Sequence, residues 1–285
     1  MDGFFIVDKP KGMTSQTVCN KIKYKFNLNK VGHSGTLDQN TTGVLVVAVN
    51  KATKLLKLIN EHDKEYIATI IFGYETDTLD MDGKIIKEID MKVNLNDIKK
   101  CVNELAKKTK QIPPLTSAIK VNGKKLYEYQ RKGIDIEVKE RNIKIYSSEI
   151  LSDLRYIDNH YEIDIKLKVS KGVYVRSYAR DLGIMLNGNA VLKELRRTKA
   201  GEFCVENSVS LDELREEDCI SIFKQFDFPK VEVNDYLKNL VLNGVTLDER
   251  QTTINQVFYV TNKCDIIAIY EPVDEKKYKP VLIFK

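Results

Sequence analysis

Hydrophobic and polar residues follow two periods along this chain, and the two periods predict strands and helices in alternation. Apolar runs and every-second-residue alternation predict strands over residues 4–7, 44–49, 64–72, 143–150 and 161–169. Helical spacing predicts helices over residues 52–60, 97–107, 174–186 and 190–197, and an earlier one that Ser15 opens as its N-cap. No solenoid-type repeat is visible. The pattern predicts an α+β protein with a mixed sheet.

Two segments depart from this alternation. Residues 111–141 are polar and basic and begin with the doublet Pro113-Pro114, which is typical of an excursion from a sheet. Near residue 226 the character changes again, and residues 257–260 and 266–270 have the spacing of a β-hairpin. We therefore predict a main domain over residues 1–225, with an inserted arm at about 111–141, and a small β-rich domain over 226–285.

Charge is distributed unevenly along the chain. Residues 1–200 carry 36 Lys and Arg against 25 Asp and Glu, whereas residues 201–285 carry 10 against 16. A basic body suits a partner that bears phosphates, because neutralising phosphates releases their counterions. The other reading is that these lysines are simply solvated.

Several classes of protein are disfavoured by composition. No apolar run reaches the roughly 18 residues that a membrane-spanning helix needs, and the acidic N-terminal residues do not resemble a secretory signal. We expect a cytoplasmic protein. Five scattered cysteines without Cys-x-x-Cys or Cys/His pairing give no sign of a disulfide framework or a metal site.

The segment Gly32-His33-Ser34-Gly35-Thr36-Leu37-Asp38, followed by Thr42-Gly43 and the run Val44-Leu45-Val46-Val47, carries the candidate chemistry. It places one carboxylate, Asp38, on a glycine-flanked turn in front of a buried strand. Such an aspartate can be a nucleophile, a general base or a metal ligand, and it can equally be an ordinary turn former.

A set of motifs in fixed order resembles the bacterial TruB family, the tRNA pseudouridine-55 synthases. The motifs are Asp8-Lys9-Pro10-Lys11-Gly12-Met13-Thr14-Ser15, the Asp38 segment, Lys64-Glu65-Tyr66, Thr76-Asp77-Thr78 with Asp80 and Gly83, residues 111–129, Ser170-Lys171-Gly172-Val173-Tyr174-Val175-Arg176, and Leu195-Arg196-Arg197-Thr198. The resemblance covers residues 3–200 and is thinner over the last sixty residues, where Leu242-Asn243-Gly244-Val245 resembles the PUA-like tail of the family.

The resemblance implies a fold, a reaction and a partner. The fold is the pseudouridine synthase fold, a mixed, mainly antiparallel sheet with flanking helices, plus a small β-rich PUA-like C-terminal domain. The reaction is the isomerisation of uridine 55 in the T-loop of tRNA to pseudouridine after base flipping. The implied enzyme needs no cofactor, metal, guide RNA or obligatory protein partner, and we expect a monomer that binds the T-arm of tRNA.

The resemblance also assigns roles at the reacting base. Asp38 is the nucleophile, and Arg176 is its bidentate charge partner. Tyr66 stacks on the extruded base and helps to remove the C5 proton, Leu195 closes the other side of the base, and Tyr174 lines the nucleotide pocket. Without the resemblance, the two tyrosines and Leu195 would be read as core residues and Arg176 as a surface arginine.

Further roles concern the RNA around that base. His33 occupies the space that the flipped base leaves in the loop, although a lone histidine is more often an ordinary loop or core residue. Lys54, on the helix predicted over residues 52–60, is a candidate phosphate contact. Lys9 with Pro10 shapes the floor of the fold. The arm carries cations interleaved with Tyr127 and Tyr129 that suit RNA, namely Lys120, Lys124, Lys125, Arg131, Lys132, Lys139 and Arg141.

The catalytic turn departs from the family pattern. Gln39-Asn40-Thr41 follows Asp38, where the family usually has proline directly after the aspartate. Loss of that proline removes no acidic or donor group, so we expect a less preorganised turn and a slower reaction, with the activity kept.

Three other functions stay open at this point. A tRNA-folding chaperone that binds the T-arm without chemistry would keep the basic arm and His33 but would not need Asp38. A hydrolase could use Asp38 as a base or metal ligand, but no second ligand has suitable spacing. A guide-RNA-dependent synthase resembling dyskerin would carry an N-terminal extension and a fuller tail.

Overall fold

The computed structural model describes residues 1–60, 63–274 and 276–284. Its strands, in chain order, are β1 (Gly3–Lys9), β2 (Val31–Ser34), β3 (Thr42–Val49), β4 (Lys64–Phe72), β5 (Tyr74–Thr76), β6 (Ile85–Glu88), β7 (Lys110–Gln111), β8 (Lys120–Val121), β9 (Lys124–Lys125), β10 (Arg141–Asn142), β11 (Ile145–Ile150), β12 (Arg155–Ile157), β13 (His160–Val169), β14 (Ala190–Ala200), β15 (Phe203–Cys204), β16 (Val209–Ser210), β17 (Ile220–Ser221), β18 (Lys230–Glu232), β19 (Leu247–Asp248), β20 (Phe258–Asn262), β21 (Asp265–Asp274) and β22 (Lys277–Ile283).

The helices are α1 (Ser15–Lys25), α2 (Leu56–Asn60), α3 (Leu95–Leu105), α4 (Leu126–Arg131), α5 (Val175–Met185), α6 (Ile222–Gln225) and α7 (Asp235–Leu242). Among the described residues, short 3₁₀ helices cover Asn50–Leu55, Val205–Asn207 and Glu216–Asp218. The helix predicted over residues 52–60 is therefore divided between a 3₁₀ segment and α2. No helix in the part of the chain that the structure describes is long and apolar enough to cross a membrane.

An 11-stranded sheet forms the body of the described chain, with its main path in the order β11-β13-β4-β14-β3-β1-β16. The pairs β14–β3 and β1–β16 are parallel, and the other pairs along this path are antiparallel. The predicted α+β class with a mixed, mainly antiparallel sheet is confirmed.

Both faces of the sheet are covered at its centre. Helices α1, α3 and α5 pack on one face, where Val18, Ile98 and Leu182 join the inward side chains of β3, β4 and β13 in one hydrophobic cluster. On the other face, β1 and β3 pack against a second, five-stranded sheet in the order β18-β20-β21-β22-β19. Burial on both sides explains why residues 44–49 form a continuous apolar run.

The second sheet follows the segment Phe226–Phe228 and contains the predicted hairpin as β20 and β21. Tyr259 and Leu282 of this sheet share a hydrophobic cluster with Phe4 of the body. The boundary between domains at residues 225 and 226 stays a prediction.

Two local predictions are wrong. Residues 190–197 form the first part of strand β14, not a helix, because pairing with β4 and β3 at the centre of the sheet outweighs the helix propensity of Leu, Lys, Glu and Arg. The N-cap of α1 is Thr14, whose side chain accepts a hydrogen bond from the Thr17 N–H at 3.0 Å. Ser15 is buried and has another role, described below.

Candidate active site

Asp38 lies in the turn between β2 and β3. The Leu37 N–H donates to Ser15 Oγ at 2.9 Å, and Ser15 Oγ donates to the Leu37 carbonyl at 3.1 Å. The Thr41 N–H donates to the Asp38 carbonyl at 3.1 Å and closes the turn. The buried hydroxyl of Ser15 therefore fixes the residue directly before the carboxylate.

A buried lysine supports the turn from below. Lys9 is fully buried, and its Nζ donates to the carbonyls of Pro10 (2.9 Å), Met13 (2.5 Å) and Gln39 (3.0 Å). Burial lowers the pKa of Lys9 to about 8, and this lowering is opposed by the negative charge of Asp38. Lys9 thus joins the loop after β1 to the turn that carries Asp38.

Arg176, the second residue of α5, brings the positive charge. Its Nη2 lies 3.0 Å from Asp38 Oδ2, and the arginine side chain is 8% exposed whereas the aspartate side chain is 48% exposed. Nη1 donates to Thr116 Oγ1 (2.5 Å) and to the Thr78 carbonyl (3.1 Å). The sequence predicts a bidentate contact of Arg176 with Asp38. In the structure Nη2 contacts the carboxylate, whereas Nη1 binds Thr116 and Thr78.

A second carboxylate shares the same guanidinium. Asp80 Oδ2 lies 3.4 Å from Arg176 Nη1. Burial raises the pKa of Asp80, and the hydrogen bond from Thr78 Oγ1 (2.5 Å) and the charge of Arg176 oppose that rise. Neighbouring Leu79 has a φ of +64°, a conformation that leucine rarely adopts. The turn between β5 and β6 is thus strained where it faces Arg176.

The start of α5 is clamped to the base of the arm. The buried side chain of Gln111 accepts from the Tyr174 N–H at 2.9 Å and donates to the Tyr174 carbonyl at 3.1 Å. Ser177 Oγ donates to the Ile112 carbonyl at 2.8 Å. These bonds fix the backbone on both sides of Arg176 and place Tyr174 directly before the helix.

The register of the sheet brings further predicted residues to the same end. Lys9, Gly43, Arg197 and Tyr66 lie side by side in one row across β1, β3, β14 and β4. Gly43 has a φ of +100°, and a Cβ there would lie 2.2 Å from the Arg197 carbonyl oxygen, so only glycine allows this approach. Tyr66 is 9% exposed.

Leu195 precedes this row on β14 and is partly buried. It lines a depression of about 240 Å³ whose other lining residues are Lys11, Asn40, Thr42, Ile67, Thr69, Glu194 and Arg196. Asn40 comes from the turn that carries Asp38, and Thr42 is the first residue of β3, whereas Asp38, Tyr66 and Arg176 do not line this depression.

His33 is on β2, opposite Val47 of β3. Its Nδ1 is buried without a hydrogen-bond partner among the residues described. Burial lowers the pKa of His33, and the charge of Arg197 lowers it further, while the backbone of Gly35 opposes the shift. The imidazole is therefore held in its neutral form, which suits a role in stacking.

Lys54 lies apart from this group. It is exposed on the 3₁₀ helix Asn50–Leu55, beside a surface depression of about 460 Å³ that it shares with Lys30 and Lys51. It does not line the depression beside Asp38.

The inserted arm consists of the β8–β9 hairpin and α4, followed by an irregular return to β10. Lys125 Nζ and the Arg131 guanidinium each lie 5.4 Å from the ring centre of Tyr127. Gln130 Nε2 donates to the Asp77 carbonyl at 3.0 Å, which ties α4 to the strained turn.

Several residues that shape the site were not singled out from the sequence: Ser15 in its present role, Thr78, Asp80, Gln111 and Thr116. Thr78 and Asp80 stand in one of the motifs of the resemblance, so a signal existed. Gln111 and Thr116 stand in the motif of residues 111–129, but their hydrogen bonds with Tyr174 and Arg176 cross long sequence separations, and no local pattern marks such contacts.

A family model described as TruB family pseudouridylate synthase (N terminal domain) matches residues 23–175. A tRNA pseudouridine synthase B of Acholeplasma laidlawii (strain PG-8A) is 41% identical over 286 residues, with 100% of each chain covered. The chain belongs to the TruB family. Another member, the tRNA pseudouridine synthase B of Onion yellows phytoplasma (strain OY-M), is 39% identical over 290 residues, again with 100% of each chain covered.

Solved structures confirm the fold of this TruB family member. A chain in the crystal structure of a Cbf5-Nop10-Gar1 complex aligns with a TM-score of 0.69 at 24% identity, covering 99% of this chain and 84% of that one. The pseudouridine synthase fold with a β-rich, PUA-like C-terminal part, expected from the resemblance, is confirmed.

Proposed function

We propose that this protein isomerises uridine 55 in the T-loop of tRNA to pseudouridine, with Asp38 as the nucleophile. Membership of the TruB family and relatives named tRNA pseudouridine synthase B along the whole chain support this reaction. The single observation that carries the mechanism is the ion pair of Asp38 with a nearly buried Arg176.

The charge arrangement suits a carboxylate nucleophile. A covalent adduct requires Asp38 to stay ionised when a base covers it and removes its water. Arg176 supplies a compensating charge that hydrogen bonds already hold in place, so little reorganisation is needed when the site closes. The exposed half of the Asp38 side chain leaves the approach to the base open.

The isomerisation is balanced without a cofactor. The N1–C1′ bond of uridine breaks, the base rotates while it is held in the site, and a C5–C1′ bond forms. N1 gains a proton and C5 loses one. Tyr66 is assigned to stacking on the base and to helping remove the C5 proton. Leu195, which packs against the hydrophobic cluster that contains Tyr66, is assigned to the opposite side of the base.

The remaining predicted residues are assigned to the RNA. A stacked uridine must leave its loop before Asp38 can reach it, and unstacking costs a few kcal/mol that new contacts must offset. Neutral His33 can fill the vacated space, Tyr174 lines the nucleotide pocket, and Lys9 supports the floor. The cations of the arm and Lys54 are assigned to phosphates. We further propose that the enzyme is a cytoplasmic monomer that acts without guide RNA or a protein partner.

The decisive experiment compares wild type with Asp38→Asn on an unmodified tRNA transcript, with carbodiimide mapping of pseudouridine and a filter-binding measurement of the Kd for tRNA. We expect wild type to modify position 55 alone and Asp38→Asn to be slower by at least about 10⁴-fold at an unchanged Kd. Binding without modification by wild type would instead support a T-arm chaperone. Modification only after addition of guide RNA or partner proteins would contradict stand-alone action.

A further inference from the structure

The turn that carries Asp38 is tied to the turn that carries Asp80. Asn40 Nδ2 donates to Asp82 Oδ1 at 2.5 Å. Asp38 and Asp80 lie on these two turns, and both contact Arg176. The Asn40–Asp82 hydrogen bond therefore joins the two loops that approach the guanidinium.

Hydrogen bonds hold the turn around Asp82 in place, so that Asp82 can anchor Asn40. The Asp82 N–H donates to Asp80 Oδ1 at 3.2 Å, and the Gly83 N–H donates to the Asp80 carbonyl at 3.3 Å. The turn is also bonded to β14, because the Met81 N–H donates to the Leu192 carbonyl at 3.0 Å and the Leu192 N–H donates to the Leu79 carbonyl at 3.1 Å. The turn that carries Asp82 is thus hydrogen-bonded to the central sheet.

The hydrogen bonds that hold Leu37 and Gln39 come from one side, whereas Arg197 of β14 donates to the carbonyl of Gly35, earlier in the turn, at 3.3 Å. Ser15 binds Leu37, while Lys9 and Gly12 both donate to the Gln39 carbonyl, Gly12 at 3.0 Å. These partners lie on or between β1 and α1. The side chain of Asn40 donates to Asp82 instead, and so ties the Asp38 turn to the turn that carries Asp80, on the side of Arg176.

We infer that Asn40 and Asp82 are positioning residues that hold Asp38 at its distance from Arg176. The inference rests on the proposed function. Asp38 is followed by Gln39, which does not restrict the backbone as proline would, so the turn needs a contact elsewhere to preorganise it. The hydrogen bond is exposed, so its main effect is on the geometry of the nucleophile, because small displacements of a reacting group slow catalysis steeply.

The test uses Asn40→Leu, which keeps the approximate size of the side chain but cannot donate, and Asp82→Leu, alone and combined. Asn103→Leu is the matched control, because Asn103 is an exposed asparagine on α3. Single-turnover rate constants, the Kd for tRNA and hydrogen exchange of the Leu37 and Thr41 amides are measured for each protein.

We expect each single variant to lower the single-turnover rate constant roughly tenfold with a Kd close to that of wild type, and the double variant to be no slower than either single one. Asn103→Leu should match wild type. Adding Gln39→Pro to Asn40→Leu should restore most of the rate, because proline at the second position of a β-turn restricts the same backbone. A general loss of folding would not be rescued in this way.

An unchanged rate in Asn40→Leu, a parallel rise of the Kd, or failure of Gln39→Pro to restore the rate would each overturn the inference. Hydrogen exchange tests the inference independently of the proposed function, because the measurement requires no enzymatic activity. Faster exchange at Leu37 and Thr41 in Asn40→Leu supports the restraint even if wild type modifies no uridine, whereas unchanged exchange overturns the inference.

Discussion

Replacing Arg176 by methionine tests whether the site is held together by charge. The guanidinium is nearly buried, and it faces a half-exposed carboxylate, Asp38, and a mostly buried one, Asp80. Loss of one partner of a buried ion pair costs about 3–5 kcal/mol. In the variant, water can solvate the exposed half of Asp38, and Asp80 can take up a proton. We therefore expect the free energy of unfolding at pH 7 to fall by about 2 kcal/mol, less than for a fully buried pair.

The loss should depend on pH in a defined direction. Burial already raises the pKa of Asp80, and removal of Arg176 should raise it further. A carboxyl group whose pKa is higher in the folded state favours folding at low pH, and this contribution is lost as the pH rises through the folded pKa. The difference between wild type and variant should therefore grow with pH between the two folded pKa values of Asp80, by at most about 1.4 kcal/mol per pH unit.

Urea unfolding of wild type, Arg176→Met and the double variant Arg176→Met/Asp80→Asn at pH 5 and pH 7 measures this effect. The double variant should regain most of the lost stability while tRNA modification stays abolished, because the uncompensated carboxylate is gone and the nucleophile still lacks its cation. Arg215→Met, at an exposed ion pair with Glu217, is the control and should unfold like wild type. Equal losses at both pH values, or no recovery in the double variant, would refute the reasoning.

Three further predictions concern the support of the turn. Lys9 has a pKa of about 8 and is charged below that pH. The single-turnover rate constant of wild type should therefore fall as the pH rises through about 8, because Asp38 loses a neighbouring cation. Lys9→Met should show no such fall, and an identical fall in both proteins would contradict the prediction. Ser15→Ala should lower the free energy of unfolding by about 1–3 kcal/mol in urea titrations, because the N–H and carbonyl of buried Leu37 lose their partner; an unchanged midpoint would contradict it. Gly43→Ala should lower it by about 3 kcal/mol or more, because its Cβ meets the backbone of β14; Gly172→Ala, also at positive φ but in open space, should cost only about 1 kcal/mol, and equal losses would exclude the close approach as the cause.

The fold was predictable where local pattern and tertiary context agree. Strand β4 covers residues 64–72 as predicted, because its apolar side chains meet a core on one face and its neighbours supply hydrogen bonds on both edges. Strand β14 shows the opposite case. Residues 190–197 favour a helix by propensity, and pairing with β4 along the strand and with β3 at Arg196 and Arg197, both far away in the sequence, decides for a strand.

The candidate site divides in the same way. The approach of Arg176 to Asp38 was predicted from the family resemblance, whereas its contacts with Asp80, Thr78 and Thr116 come from separate loops whose packing has no local signature. The sequence predicts a less preorganised turn after Asp38, because Gln39 stands where the family has proline. The side chain of Asn40 bonded to Asp82 supplies a restraint that the backbone pattern could not reveal.

The exposure of the charges at the site indicates how the substrate completes it. Arg176 is kept from water by its own hydrogen bonds, while Asp38 keeps nearly half of its side-chain surface open. A base that enters the site would remove water from the carboxylate and leave the guanidinium almost as it was. The attraction between the two charges would then strengthen as the local dielectric constant falls, because Coulomb energy varies inversely with it. Under the proposed function, full desolvation of Asp38 therefore coincides with arrival of the nucleotide, and without RNA the carboxylate remains partly hydrated.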